Sequence, residues 1–427
     1  MILQIPLFFA WTFFAVLFAA DISVDAVVRH VRAHPMGDAP ASIVLTQDQG
    51  DPRDLPIGIF DSGIGGLTVL EAIKAHDGHD NKTGELKADG TPDFQGERFV
   101  YLGDQANMPY GNYASVSRTD FLRELILRDA LFLLGRRWND STSTHLLQTK
   151  QPVKAIVIAC NTATAYGLDD VREMITALGI PVIVIGVVEA GAQGLAETSE
   201  NSQGSIAVMA TLGTCSSNAY PKAIARTTNR QVLQLGSSHL AAAIEGDPSI
   251  HERIQEVIHA DVGAFLSSLA AQRPTHPVDT LVLGCTHYPL VAEEITKSFQ
   301  DWRNHLISSG HKEFENLVAP KLKVVNPAAW TAESLWRALF SAKLIHQSPS
   351  PARDEFYVSI PNPAWPGVSL SSDGSLTSDY KYSRIPGSID REDTIYTRLT
   401  VATLPMNAAT LVRDKLPLTW QSLNSPH

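Results

Sequence analysis

The sequence predicts an α/β protein built on parallel sheets. Three observations predict it. From residue 56 to 345, short apolar runs alternate with helix-compatible stretches, the order that lays helices on the faces of parallel layers. The runs are apolar throughout rather than alternating, as in Ala155-Ile156-Val157-Ile158-Ala159 and Leu281-Val282-Leu283-Gly284, which is how strands buried on both faces read. Two of them hand over directly to a cysteine and then to a helix start, Cys160-Asn161-Thr162-Ala163 and Cys285-Thr286-His287-Tyr288-Pro289. Pro289 suits a first helical turn, where its missing N–H is no loss.

Taken in order, the chain opens on an uncharged apolar stretch, Ile5–Ala20. It is short for a membrane span and suits the core of a signal peptide. Residues 1–26 are therefore expected to be a leader, with Val24-Asp25-Ala26 as a cleavage site and an uncleaved anchor or a mispredicted start codon as alternatives. A working leader would bring membrane contact or export. Residues 27–54 read as a linker. The core is expected over 55–345, with a first lobe of about 55–186 and 290–345 and a second of about 187–289. Its strands are expected at Ile57–Phe60, Phe99–Leu102, Ala155–Ala159, Pro181–Gly186, Ser205–Thr211, Thr280–Gly284 and Leu322–Asn326. Helices are expected over Phe121–Leu134, Leu240–Glu245 and His251–Leu269. Three polar stretches, His76–Gly96, Trp138–Gln151 and Phe299–Pro320, read as insertions, and His76 and His79 as solvated rather than metal-bound. From Ser348 the Pro- and Ser-rich texture predicts an irregular, partly β appendage over 346–427. No candidate site residue falls within 1–54 or 348–427, so both ends are expected to be dispensable for chemistry.

Composition narrows the function. The 427 residues are 44% apolar and 19% charged, with a net charge of 34 − 45 = −11. That suits a core of substantial size and gives nucleic acid no clustered Lys and Arg to bind. Three cysteines make no disulfide scaffold. A cysteine at the carboxyl end of a strand stands where open α/β sheets bind ligands. The positive end of the following helix lowers its pKa. Two such thiols on opposite sides of a substrate can take a proton from one face of a carbon and return one to the other. Plain core packing and a metal site of Cys160, Cys285 and His287 are the alternatives, the latter without a CxxC or HxxxH pair to support it. Cys215 belongs to neither unit and reads as structural. Asp61-Ser62-Gly63-Ile64-Gly65-Gly66 after the first strand permits close approach of a small ligand, and its spacing is not that of a dinucleotide fingerprint. Leu212-Gly213-Thr214 offers a hydroxyl at a helix start.

Four motifs in order resemble the aspartate/glutamate racemase family: Asp61-Ser62-Gly63-x-Gly65-Gly66-Leu67, Pro109-Tyr110-Gly111, Cys160-Asn161-Thr162-Ala163 and Leu283-Gly284-Cys285-Thr286-His287-Tyr288-Pro289-Leu290. The resemblance covers about 56–345, and its second and fourth motifs point to the members that act on glutamate. It implies two pseudo-symmetric lobes with the site between them, a homodimer, and racemisation without a cofactor or a metal, to supply D-glutamate for peptidoglycan. On it, Cys160 and Cys285 are the two bases, facing the D- and L-enantiomers respectively, with one held as thiolate and the other as thiol. Asp61, Glu245 and His287 assist. Asp61, Ser62, Pro109, Tyr110, Gly111, Asn161, Thr162, Thr214, Thr286 and His287 hold the amino acid. Asn326 stands where the family often has Asp. A racemase of the same family acting on aspartate or another amino acid and an exported amino-acid-binding protein derived from it are the alternatives.

Overall fold

The computed structural model describes residues 24–45, 50–140, 145–198, 202–247, 249–272, 274, 276–309, 317–346, 353–404 and 406–425. The leader's apolar run lies outside them. Among the described residues no helix is long and apolar enough to cross a membrane.

The described residues hold twelve strands: β1 Ile57–Asp61, β2 Phe99–Gly103, β3 Trp138–Asn139, β4 Leu146–Leu147, β5 Ala155–Ile158, β6 Ile183–Gly186, β7 Ser205–Thr211, β8 Val232–Ser237, β9 Val278–Gly284, β10 Val318–Val325, β11 Glu355–Pro361 and β12 Thr394–Arg398. They form a six-stranded sheet in the order β12-β11-β2-β1-β5-β6, a four-stranded sheet in the order β10-β9-β7-β8, and the small hairpin β3-β4. Both large sheets are parallel except for the β11–β12 pair. The predicted class is thus present. β1, β2 and β5 are buried at every residue, which is why they carry no polar alternation.

Several expectations are corrected. Helix Val24–Ala33 occupies the start of the supposed linker and takes in the supposed cleavage site. Val24, Val27, Val28 and Val31 form its buried stripe, and Arg32 donates to Ala177 O at 2.7 Å. β10 joins the second sheet, not the first lobe, because the helix Ala292–Ser308 carries the chain from β9 to the neighbouring parallel position. That helix also runs through the start of the supposed third insertion and buries Phe299 completely. His79 is buried and stacked on Trp336 at 3.6 Å, not solvated, because Asp93 and Glu333 supply the polar partners that water would otherwise provide.

The largest correction concerns the tail. β11 pairs in parallel with β2 and so covers an edge that would otherwise expose unpaired backbone groups. Phe356 and Tyr357 are 1% and 0% exposed. Asp354 accepts from Phe99 N at 3.0 Å and pairs with Lys74 at 2.5 Å. The two last helices, Met406–Lys415 and Pro417–Leu423, dock on the body, where the Glu71 carboxylate accepts from Leu418 N and Thr419 N. The supposed appendage is therefore an integral part of the first sheet.

Candidate active site

The site forms where the carboxyl ends of strands from both sheets meet, as ligand sites in open parallel sheets do. β1 ends in Asp61 and Ser62, β5 leads to Cys160, β7 ends at Thr211 and β9 leads to Cys285. A small cavity is lined by both cysteines, Ser62, Asn161, Thr162, Thr211, Thr286 and His287. Met108, Pro109, Tyr110, Gly111 and Ala241 complete its wall.

Each thiol has its own surroundings. Cys160 caps the helix Asn161–Leu178, and its Sγ accepts from Ala163 N at 3.4 Å and lies 3.8 Å from Ser62 Oγ. The expected lowering by the helix end is outweighed: burial and the neighbouring Asp61 carboxylate push the Cys160 thiol well above its ordinary value. Cys285 Sγ lies 3.5 Å from His287 Nδ1, and His287 Nε2 lies 2.6 Å from Glu245 Oε1. Burial pulls the His287 imidazole down, but the hydrogen bonds to Cys285 and Glu245 prevail and hold it well above its ordinary value. Cys285 therefore faces an imidazole backed by a carboxylate, and Cys160 faces a carboxylate.

Asp61, Glu245 and Thr214 do not line the cavity; they stand behind it. Asp61 is fully buried, accepts from Gly66 N at 2.7 Å and meets Thr286 Oγ1 at 3.3 Å. Burial raises its carboxyl pKa. Glu245 gathers Ile64 N and Gln105 Nε2 as well as His287. Thr214 Oγ1 bonds Thr162 Oγ1 at 3.0 Å. Tyr110 borders the cavity, yet its hydroxyl donates within reach of Asp104 and Asp129, at 2.5 and 2.7 Å. Its phenol braces the scaffold, so Pro109-Tyr110-Gly111 offers the site chiefly its backbone. Asn326 caps the helix Pro327–Ser341 by accepting from Ala328 N.

The glycines of the first motif are explained by close approach. A Cβ at Gly65 would stand 2.6 Å from the His287 ring and from Thr286 Oγ1, and one at Gly66 would stand 2.6 Å from Asp61 Cβ. The β1 loop and the β9 loop thus touch through positions that have no room for a side chain.

Sequence reasoning missed Thr211, Gln105 and Tyr220. Thr211 ends β7 and caps the next helix by accepting from Thr214 N, the same strand-end place that marked the two cysteines. Tyr220, which donates to Asn161 Oδ1 at 2.7 Å, and Gln105 carry no motif.

Comparison with known proteins bears on this arrangement. Residues 136–310 match the family model described as Asp/Glu/Hydantoin racemase. Over 307 residues the chain is 32% identical to the glutamate racemase of Chlorobaculum tepidum, covering 72% of this chain and 88% of that protein. The chain belongs to the aspartate/glutamate racemase family. This racemase is also 30% identical to the glutamate racemase of Lactobacillus johnsonii over 71% of its own length and 87% of the relative's. The crystal structure of glutamate racemase isoform RacE1 from Bacillus anthracis resembles it with a TM-score of 0.49 and 25% identity, covering 72% of this chain and 89% of that one.

The Glu245–His287 pair gives the racemase a testable pH signature. Its folded-state imidazole pKa lies above the ordinary 6.5. The pair's stabilisation is thus complete below about pH 6.5 and is lost as pH rises through the folded value. Glu245→Gln should lower the His287 pKa, read by imidazole NMR, and flatten the alkaline loss of stability in urea titrations. Parallel curves for the two proteins would disprove the pairing.

Proposed function

We propose that the chain interconverts L- and D-glutamate by a two-base reaction, with Cys285 serving the L-enantiomer and Cys160 the D-enantiomer. The observation that carries this reading is that both strand-end thiols border one small cavity. From L-glutamate, the Cys285 thiolate takes the Cα proton, and the electron pair passes into the α-carboxylate as an enediolate. The Cys160 thiol then gives its proton to the opposite face. The reverse reaction exchanges the roles: the Cys160 thiolate left by the forward reaction takes the Cα proton of D-glutamate, and the Cys285 thiol gives its proton to the opposite face. The protons balance between the two thiols alone.

The unequal surroundings support this assignment. Burial keeps Cys160 protonated, as the acid for an incoming L-substrate must be. The His287 imidazole, itself bonded to Glu245, stands 3.5 Å from Cys285 Sγ, a thiol–imidazole–carboxylate row of the kind that activates a nucleophile or base. Among the described residues that line the cavity none is Lys or Arg. The α-carboxylate is thus received by hydroxyls of Ser62, Thr162, Thr211 and Thr286, the Asn161 amide and backbone N–H groups, which stabilise charge where it develops. Glutamate as the substrate rests on the relatives, which are glutamate racemases. The supply of D-glutamate to peptidoglycan rests on the family resemblance.

A chiral assay of the purified chain on L-Glu, D-Glu, L-Asp and D-Asp tests the proposal. Interconversion of the glutamate pair alone is expected. Comparable turnover of aspartate would overturn the substrate assignment, and binding without turnover would overturn the reaction.

A further inference from the structure

Away from the active site, the loop after helix Leu67–Lys74 brings together His76, His79 and Asp93. One ligand atom from each lies within 4.8 Å of the other two. His79 Nδ1 is 3.1 Å from Asp93 Oδ2, and His76 Nε2 is 3.5 Å from the same oxygen. Donors bound to one tetrahedral zinc at about 2.0–2.1 Å stand about 3.3–3.4 Å apart, so two of the three separations already have the required size. Glu333, on helix Pro327–Ser341, faces both rings, with Oε2 3.1 Å from His76 Nε2 and Oε1 3.4 Å from His79 Nε2.

We propose that His76, His79 and Asp93 form a binding site for a divalent transition metal, Zn²⁺ in the first place. A second, independent observation points to a ligand. Asp93 is 4% exposed, and its Oδ1 has no hydrogen-bond partner among the described residues. A buried carboxylate oxygen without a donor is costly, and a cation beside it removes the cost. The donor set selects the metal: two imidazoles with one carboxylate suit zinc and its first-row neighbours and disfavour Mg²⁺ and Ca²⁺, which take oxygen. Glu333 also lies 2.5 Å from Arg337 Nε. With an arginine on one oxygen it serves as the outer carboxylate for His79, whose Nδ1 faces Asp93 and whose Nε2 faces Glu333. Trp336, stacked on His79, fixes that ring further. An open surface cavity bordered by Asp93 and Trp336 provides access. The metal would fasten the 76–96 loop to helix Pro327–Ser341, a structural clamp rather than part of the racemisation.

The test uses the full chain, stripped with a chelator and titrated calorimetrically with ZnCl₂. One site of sub-micromolar Kd is expected, with a rise in melting temperature. His76→Gln and Asp93→Asn should each abolish it, and Glu333→Gln should weaken it by about 10–100-fold. The variant lacking both Cys160 and Cys285 should bind zinc unchanged, which separates this site from the active-site thiols. Circular dichroism checks folding, and His76→Gln is the mildest replacement because its ring is partly exposed. Absence of binding would show a plain histidine–carboxylate network. Binding that survives His76→Gln and Asp93→Asn, or that vanishes with the two cysteines, would equally overturn the proposal.

Discussion

Cys160→Ala and Cys285→Ala should each lower kcat for glutamate racemisation by at least 10²–10⁴-fold, the range lost with a positioned acid or base. The two variants should differ in kind. In Cys160→Ala, Cys285 and its His287 partner remain, so L-glutamate should still exchange its α-hydrogen slowly with solvent while little D-glutamate forms. In Cys285→Ala that exchange should be lost from the L-enantiomer. Cys215→Ala is the control. Burial pushes the Cys215 thiol up to about 12, it does not border the cavity, and its removal should leave turnover within about twofold, as for a site outside the machinery. Chiral chromatography reads the racemisation, and proton NMR reads the exchange. A single variant with near-normal turnover would remove that thiol from the reaction, and a deep loss in Cys215→Ala would show that the third cysteine is misplaced.

Deleting residues 348–427 should leave a chain that neither folds stably nor racemises. The sequence suggests that this segment is dispensable; the structure reverses the expectation. β11 supplies the neighbour of β2, and β2 supplies the neighbour of β1, which carries Asp61. Burying one large apolar side chain is worth about 1.5–3 kcal/mol. The loss of Phe356, Tyr357, Ile395 and Leu399, all buried, therefore approaches the whole stability of a typical domain, about 5–15 kcal/mol. The tail also holds the loop that borders the cavity. Ser359 Oγ accepts from Ala106 N at 2.9 Å, Lys381 Nζ donates to Met108 O at 2.6 Å, and Arg384 donates to Asn107 Oδ1 at 2.5 Å and to Tyr113 OH at 3.1 Å. A milder variant, Lys381→Met, isolates this second effect, because it removes the bond to Met108 O and leaves the buried Arg384–Asp393 pair intact; it should raise KM for glutamate with little change in melting temperature. Circular dichroism and the racemase assay decide the matter. A truncated chain with full activity would show that the tail is an accessory after all.

The central strands were legible because burial on both faces leaves continuous apolar runs, as in β5 and β9. The two cysteines were legible because each follows such a run directly. β8 was not: its burial alternates along Val232–Ser237, with Gln234 and Gly236 breaking the run, and only pairing with β7 reveals it. β11 was hidden by the proline- and serine-rich stretches around it, since the vacancy it fills beside β2 is a property of the sheet. Among site residues, those in unbroken motifs were readable, and Glu245 was readable only through the short match Ala243-Ile244-Glu245-Gly246. Its use is tertiary, a carboxylate brought to His287 from 42 positions away. Thr211, at a strand end like the cysteines, was overlooked because a threonine there does not announce a reaction. Tyr110 borders the cavity, but its hydroxyl is engaged by Asp104 and Asp129, which no local pattern records.

The opposed thiols are tested most directly by racemisation in D₂O, followed to low conversion from each enantiomer. Two bases on opposite faces predict that the first product molecules carry deuterium at Cα while the remaining substrate keeps its hydrogen, because the delivering thiol has exchanged with solvent and the abstracting one has not returned its proton. Early product that retains the substrate's hydrogen, or deuterium that enters substrate and product equally from the start, would contradict the paired-cysteine account.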